Sequence, residues 1–220
     1  MSRPRPRPPG LTTAPTSAPI PAPSPSARWV PAPILRLEAA ASLVRDHRHR
    51  SGRRRSGSRR GASGPAPRVV LANGLFDLPH VGHLRYLRGA RRHGDLLIVA
   101  VNDDRSARRL RGPGRPLIAA ADRARLVAAV RGVDAVVLFG GTTVARVIRS
   151  LRPDVHCKGT DYSPATVPEG DLVRSLGGVV KVAGDAKRHA TTDLIRRIAA
   201  AGTPGADRTR PRPRRAGRRD

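Results

Sequence analysis

The sequence predicts an α/β protein whose centre is a doubly wound parallel sheet of five strands with helices on both faces. Two observations predict it. From Arg68 onward, five short apolar runs recur, each bounded by Gly, Asp or Asn, and an uninterrupted apolar run is what a strand buried on both faces presents. Between the runs lie segments with helical apolar spacing, and regular alternation of the two kinds implies βαβ units.

The elements follow in order. VVLAN (69–73) is the first strand, and Val81 to Arg92 has helical spacing behind it. DLLIVAVN (95–102) is the second strand; the GPGRP stretch (112–116) after it contains enough Pro and Gly to forbid regular structure, and Asp122 to Val130 then reads as a helix. DAVVLF (134–139), a helix over Thr143 to Leu151, DVHCKG (154–159), a helix over Glu169 to Leu176, GGVVKVA (177–183) and a helix over Thr192 to Ala200 complete the pattern. Five strands in about 130 residues make one Rossmann-like domain with one crevice, at the carboxyl ends of the strands where their order reverses.

Composition sets the ends apart. Of 220 residues, 43 are Lys or Arg against 16 Asp or Glu, a net charge of +27, yet only Lys158, Lys181 and Lys187 are lysines. So uniform a preference for Arg looks more like coding bias than recruitment for one task. Residues 1–66 hold 12 of the 22 prolines and 13 Arg against only Glu38 and Asp46, and are expected to be disordered. Residues 201–220, with seven Arg and three Pro, repeat that composition. The expected domain, 67–200, has 23 bases and 12 acids and is far less basic than the whole chain. Three readings compete for the leader: a transit peptide, whose amphipathic helix this proline density would break; a nucleic-acid-binding arm resting on charge alone; and a start codon assigned too far upstream, which is preferred.

One cysteine, Cys157, excludes a disulfide framework and a thiolate zinc cluster, so a reducing cytoplasm is the expected location. No run of about 18 apolar residues exists to span a membrane.

The chemistry concentrates after the first strand, in NGLFDLPHVGHLRYL (73–87). His80 and His83 share one face at the start of a helix. That helix start also offers backbone N–H groups and the positive end of the helix dipole, and Gly82 removes a side chain that would block a phosphate. The arrangement suits a polyphosphate. Asn73, Gly74, Phe76 and Asp77 complete the loop; Asp77 could hold Mg2+ or hydrogen-bond the turn, and the structural role is preferred. Thr191 and Thr192 precede Asp193 at another helix start, where one hydroxyl can cap and the other can meet phosphate. Asn102 ends the second strand and is a candidate nucleotide contact. His156 and Cys157 are adjacent on a strand, point to opposite faces and read as packing residues.

GLFDLPHVGH resembles the GxFDxxHxGH signature of the cytidylyltransferase-like nucleotidyltransferase superfamily. VNDD, RLRGPGRP, the Asp122–Arg123 pair, RPDV, KGTDY and TTDLIRRI then follow in the order of D-glycero-β-D-manno-heptose 1-phosphate adenylyltransferase domains, so the resemblance spans 68–199. It implies transfer of AMP or CMP from ATP or CTP, with Mg2+ carried on the triphosphate, to a sugar or polyol phosphate. It implies His80, His83 and Lys158 as catalytic groups, Arg115, Asp122, Asp161 and Tyr162 as substrate contacts, and allows a homodimer. Leu75 stands where relatives commonly carry Cys, and Ala190 where they carry the Ser of a Ser-Thr-Thr triplet. A glycerol-3-phosphate cytidylyltransferase-like activity is the nearest alternative. A non-catalytic basic nucleic-acid-binding protein is the alternative of another class, although two Phe, two Tyr and one Trp are too few for base-stacking platforms and no specific nucleic acid is expected.

Overall fold

A two-residue strand, β1 (Ile34–Leu35), opens the fold and leads directly into helix α1 (Leu37–Ser56). There follow β2 (Val69–Gly74), α2 (Val81–Arg91), β3 (Leu96–Asn102), α3 (Asp104–Arg111), α4 (Ala120–Ala128), β4 (Ala135–Phe139), α5 (Ala145–Leu151), β5 (Val155–Lys158), α6 (Gly170–Ser175), β6 (Val179–Val182) and α7 (Thr191–Ala201). The computed structural model describes residues 30–56, 67–184 and 191–201. The chain divides into two units, Met1–Val30 and Pro31–Asp220; every element lies in the second, and of the first only Val30 is among the described residues.

All strand pairs are parallel, in the order β1-β4-β3-β2-β5-β6. Four of the five apolar runs, β2 to β5, are largely buried on both faces, whereas the edge strand β6 is only partly covered. Val70, Ala72, Leu97, Val99, Val101, Val136, Val155 and Cys157 pack with Leu87, Ala90, Ala124 and Val127 of α2 and α4. The alternate residues Val69, Leu71, Ile98, Ala100, Ala135 and Val137 pack with Ala40 and Val44 of α1, Val147 and Ile148 of α5, and Val173 of α6. Register is pinned at the amino ends by a repeated device: the carboxylates of Asp95, Asp154 and Asp134 accept the N–H groups of Arg68, Val69 and Leu97, at 2.8, 2.7 and 2.7 Å.

The sheet has six strands rather than the expected five. Ile34 and Leu35 pair with Val136 and Val137 of β4, and Ala40, Ala41 and Val44 of α1 are buried. The expectation that residues 1–66 are disordered is therefore corrected for 34–56. The stretch around Ile34 to Val44 is short, but it covers apolar surface that β4 and α5 would otherwise expose. Residues 1–29, 57–66 and 202–220 lie outside the described residues. No helix among the described residues is long and apolar enough to cross a membrane.

Strand order reverses at β2, which has β3 on one side and β5 on the other. The carboxyl ends of β2 and β5, at Gly74 and Lys158, flank the crevice where such sheets bind ligands.

Candidate active site

The loop from β2 to α2 is held in an unusual conformation. Phe76 and Leu78 have φ of 52° and 54°, the left-handed region that non-glycine residues seldom occupy. Gly74 permits the turn: a Cβ there would lie 3.1 Å from the Phe76 ring. Phe76 is buried against His83 and Tyr86, with ring centroids 5.3 and 6.4 Å away. Tyr86 clips the two crevice strands together, its hydroxyl donating to the Cys157 carbonyl at 2.7 Å and accepting the Asn73 N–H at 3.2 Å. Burial keeps that hydroxyl protonated. Asn73 Oδ1 is buried without a hydrogen-bond partner.

The two histidines cap α2 reciprocally. His80 is the N-cap residue; its Nδ1 accepts the Gly82 N–H at 3.1 Å, and its own N–H donates to His83 Nδ1 at 3.2 Å. Both Nδ1 atoms are acceptors, so each ring carries its proton on Nε2, at the opposite edge. Their centroids are 4.0 Å apart. Burial, with a smaller contribution from His80, pushes the pKa of His83 down to about 4, so at neutral pH it is a neutral Nε2–H donor. This corrects the expected row of backbone amides. The Gly82 amide is taken by His80 Nδ1, and the His83 and Leu84 amides by the His80 carbonyl. Donors at this helix start come chiefly from imidazole.

Asp77 is buried, and its carboxylate faces the protein. It accepts the N–H groups of Leu117 (3.0 Å) and Ile118 (3.1 Å) and pairs with Arg115 at 2.8 Å. The carbonyl of Asp77 accepts the Thr191 hydroxyl at 3.0 Å. Asp77 thus gathers three segments at the crevice: its own loop, the GPGRP loop and the start of α7. The side chain of Thr192 lies outside the described residues.

The remaining candidates lie on the other strand ends and helices. The Asn102 amide donates to Ser106 Oγ and the Gly141 carbonyl, both at 3.2 Å. Asp122 is not a cap: α4 begins two residues earlier, and Asp122 forms an exposed pair with Arg125 at 2.6 Å. Asp161 and Tyr162 stand in the exposed turn after β5. Lys158 is buried at the end of β5 and pairs with Glu169 Oε2 at 3.4 Å, its Nζ 5.3 Å from the centre of the Tyr162 ring. Burial lowers its pKa, and Glu169 opposes that shift.

Two residues that sequence reasoning missed hold these parts in place. Arg123 has no exposed surface; its guanidinium donates to the carbonyls of Ile118 and Leu75 and to Asp104 Oδ1. Its position betrays it, because Ala120, Arg123, Ala124, Val127 and Ala128 form the buried stripe of α4, where an unpaired arginine could not sit. Glu169 accepts the Val144 N–H at 3.2 Å and faces Lys158.

No cluster of three or more His, Cys, Asp or Glu suited to a metal occurs among the described residues. The Asp77 carboxylate is already engaged by Arg115 and the amides of Leu117 and Ile118.

Residues 71–197 match the family model described as Cytidylyltransferase-like. The chain belongs to the cytidylyltransferase-like family. Within the family it is 50% identical over 130 residues to the Bifunctional protein HldE of Syntrophotalea carbinolica, covering 59% of this chain and 26% of that one. It is 52% identical over 141 residues to the Bifunctional protein HldE of Gluconacetobacter diazotrophicus, covering 64% and 29%. The chain thus spans about a quarter of the length of these curated relatives. Among solved structures, a lipopolysaccharide core biosynthesis protein from Thermoplasma volcanium GSS1 is 28% identical, covering 56% of this chain and 99% of that one, with a TM-score of 0.47.

Proposed function

We propose that this domain transfers a nucleotidyl group, AMP from ATP as the first choice, to a sugar phosphate such as heptose 1-phosphate, releasing pyrophosphate. One observation carries the reading: two imidazoles whose Nδ1 atoms are locked as acceptors, and whose protons are therefore on Nε2, at the carboxyl end of β2 beside the switch point. Membership of the cytidylyltransferase-like family and the likeness to HldE proteins support it.

The chemistry is an in-line displacement. An oxygen of the acceptor phosphate forms a bond to the α-phosphorus while the bond to the β-phosphate oxygen breaks, and pyrophosphate departs with that electron pair. The acceptor is already an anion near neutral pH, so no general base is required and the protein's task is positioning and charge stabilisation. His80 and His83 donate from Nε2 to oxygens of the triphosphate as negative charge redistributes around the α-phosphorus. A neutral imidazole suits this role because it can donate without losing a proton as it does so. Lys158 and Arg115 supply positive charge at the crevice, and Thr191 holds the start of α7 beside the loop. Mg2+ travels with the nucleotide. The cytoplasm is where such substrates meet the enzyme.

The test is pyrophosphate release by the full-length protein with ATP or CTP and either heptose 1-phosphate or glycerol 3-phosphate. ATP with heptose 1-phosphate is expected to give the highest kcat/KM. His83→Ala is expected to lower kcat by on the order of a hundredfold, as loss of one charge-stabilising donor does elsewhere. No release with any of the acceptors, or near-normal turnover in the variant, would refute the proposal.

A further inference from the structure

Lys158 and Glu169 form a buried ion pair at the crevice end of β5, and this arrangement is unfavourable for stability alone. Removing two charges from water costs several kcal/mol per ion in general, and a well-packed apolar pair is often no less stable. Glu169 is nine-tenths buried, and one of its carboxylate oxygens is anchored by the Val144 N–H at the start of α5. The other oxygen meets Lys158 Nζ at 3.4 Å, longer than the 2.7–2.9 Å of a tight charge-assisted bond. An ammonium has three donors. A single long contact tethers Lys158 without consuming it, and the Tyr162 ring, 5.3 Å from Nζ, adds a weak cation–π contact on a second side.

We propose that Glu169 is the positioning residue of Lys158: anchored by the backbone at Val144, it keeps the buried ammonium charged and aimed at the carboxyl end of β5, where it meets a substrate phosphate. The inference rests on the assignment of Lys158 to phosphate under the proposed reaction. The groups facing Lys158 are Glu169 from the start of α6, Tyr162 from the turn after β5, and His156 from its own strand; its partner on β6 is the apolar Val182. Among them Glu169 offsets the effect of burial on the ammonium.

Glu169→Gln isolates the charge, because the amide oxygen can still accept the Val144 N–H. Pyrophosphate release by the full-length protein with ATP and heptose 1-phosphate would be followed from pH 6 to 10, beside thermal unfolding of each protein. Without the carboxylate the ammonium gives up its proton at lower pH. The expected result is a kcat/KM about tenfold lower at pH 7.5 and an alkaline limb displaced toward neutral pH by about one unit. Glu169→Asp, which keeps the charge on a shorter arm, is expected to lose activity with its limb in the original place, and it serves if the Gln variant does not fold. Lys158→Met is expected to lose at least as much activity as Glu169→Gln.

If Lys158→Met is impaired while Glu169→Gln has wild-type activity, or loses activity with an unmoved limb, Glu169 is structural and the inference fails while Lys158 keeps its role. If Lys158→Met turns over normally, the assignment of Lys158 itself is wrong and the inference falls with it.

Discussion

Arg123 shows how a single buried charge can govern a site that it does not enter. Its guanidinium supplies donors to the carbonyl of Leu75, in the β2–α2 loop, and of Ile118, at the end of the GPGRP loop, and it pairs with the half-buried Asp104 at 2.8 Å. Asp77 works from the other direction, its carboxylate accepting the amides of Leu117 and Ile118. The two residues clamp the same pair of loops with opposite charges. Arg123→Met should leave two buried carbonyls without a donor and destabilise the fold by about 3 kcal/mol, since each unsatisfied buried group costs roughly 1–3 kcal/mol. The measurement is the urea midpoint. A variant within about 0.5 kcal/mol of the parent would show that the clamp is dispensable. The histidines were legible in the sequence because their pattern is local: His80 and His83 cap one another within a single turn. Arg123 and Glu169 were not, because what defines them is a partner 48 positions away at Leu75 and 25 away at Val144.

At the level of elements, five of the six strands and five of the seven helices could be read from periodicity, and the missed strand and helices have physical explanations. Helix α3 buries only Ser106 and Ala107 and otherwise carries arginines, so it has almost no apolar stripe to detect. Helix α1 lies within Pro- and Arg-rich sequence, and β1 before it is only two residues long, pairing along the edge of β4. Their contribution is nevertheless substantial. Ala40, Ala41 and Val44 are buried, Leu35, Leu37 and Leu43 are partly buried against the same cluster, and Arg48 donates to the Arg152 carbonyl at the end of α5 at 2.7 Å. Apolar burial of that extent is worth roughly 5 kcal/mol, a large share of a typical domain's 5–15 kcal/mol. A shortened chain beginning at Pro67 should therefore unfold at a markedly lower urea concentration than one beginning at Val30, which should match the full chain. Equal midpoints for the two shortened chains would mean that α1 does not fold cooperatively with the sheet.

For the domain as a whole, the interior among the described residues holds isolated titratable groups neutral and takes in charge in pairs. Burial pushes the Cys157 thiol up to about 12 and the imidazoles of His83 and His156 down to about 4. The charges that do enter are matched: Arg115 with Asp77, Arg123 with Asp104, Lys158 with Glu169. This fixes the direction of acid sensitivity. In the unfolded chain an imidazole takes up its proton near pH 6.5, whereas in the folded domain His83 and His156 resist until about pH 4. Between those values the unfolded state binds more protons, so stability is complete above about pH 6.5 and falls as pH drops toward 4. Each histidine can remove up to about 3 kcal/mol by the bottom of that window, at about 1.4 kcal/mol per pH unit. His156 allows the idea to be tested by stability alone at a residue outside the proposed donors, because it is fully buried on the sheet face that packs α1 and α5, between Leu71 of β2 and Val180 of β6. His156→Leu should match or exceed the parent's stability at pH 7.5 and lose about half as much between pH 6.5 and 4.5, measured by urea unfolding at each pH. An unchanged pH slope in that variant would mean that the acid sensitivity arises elsewhere, and the carboxylates clamping the loops would be the next groups to replace.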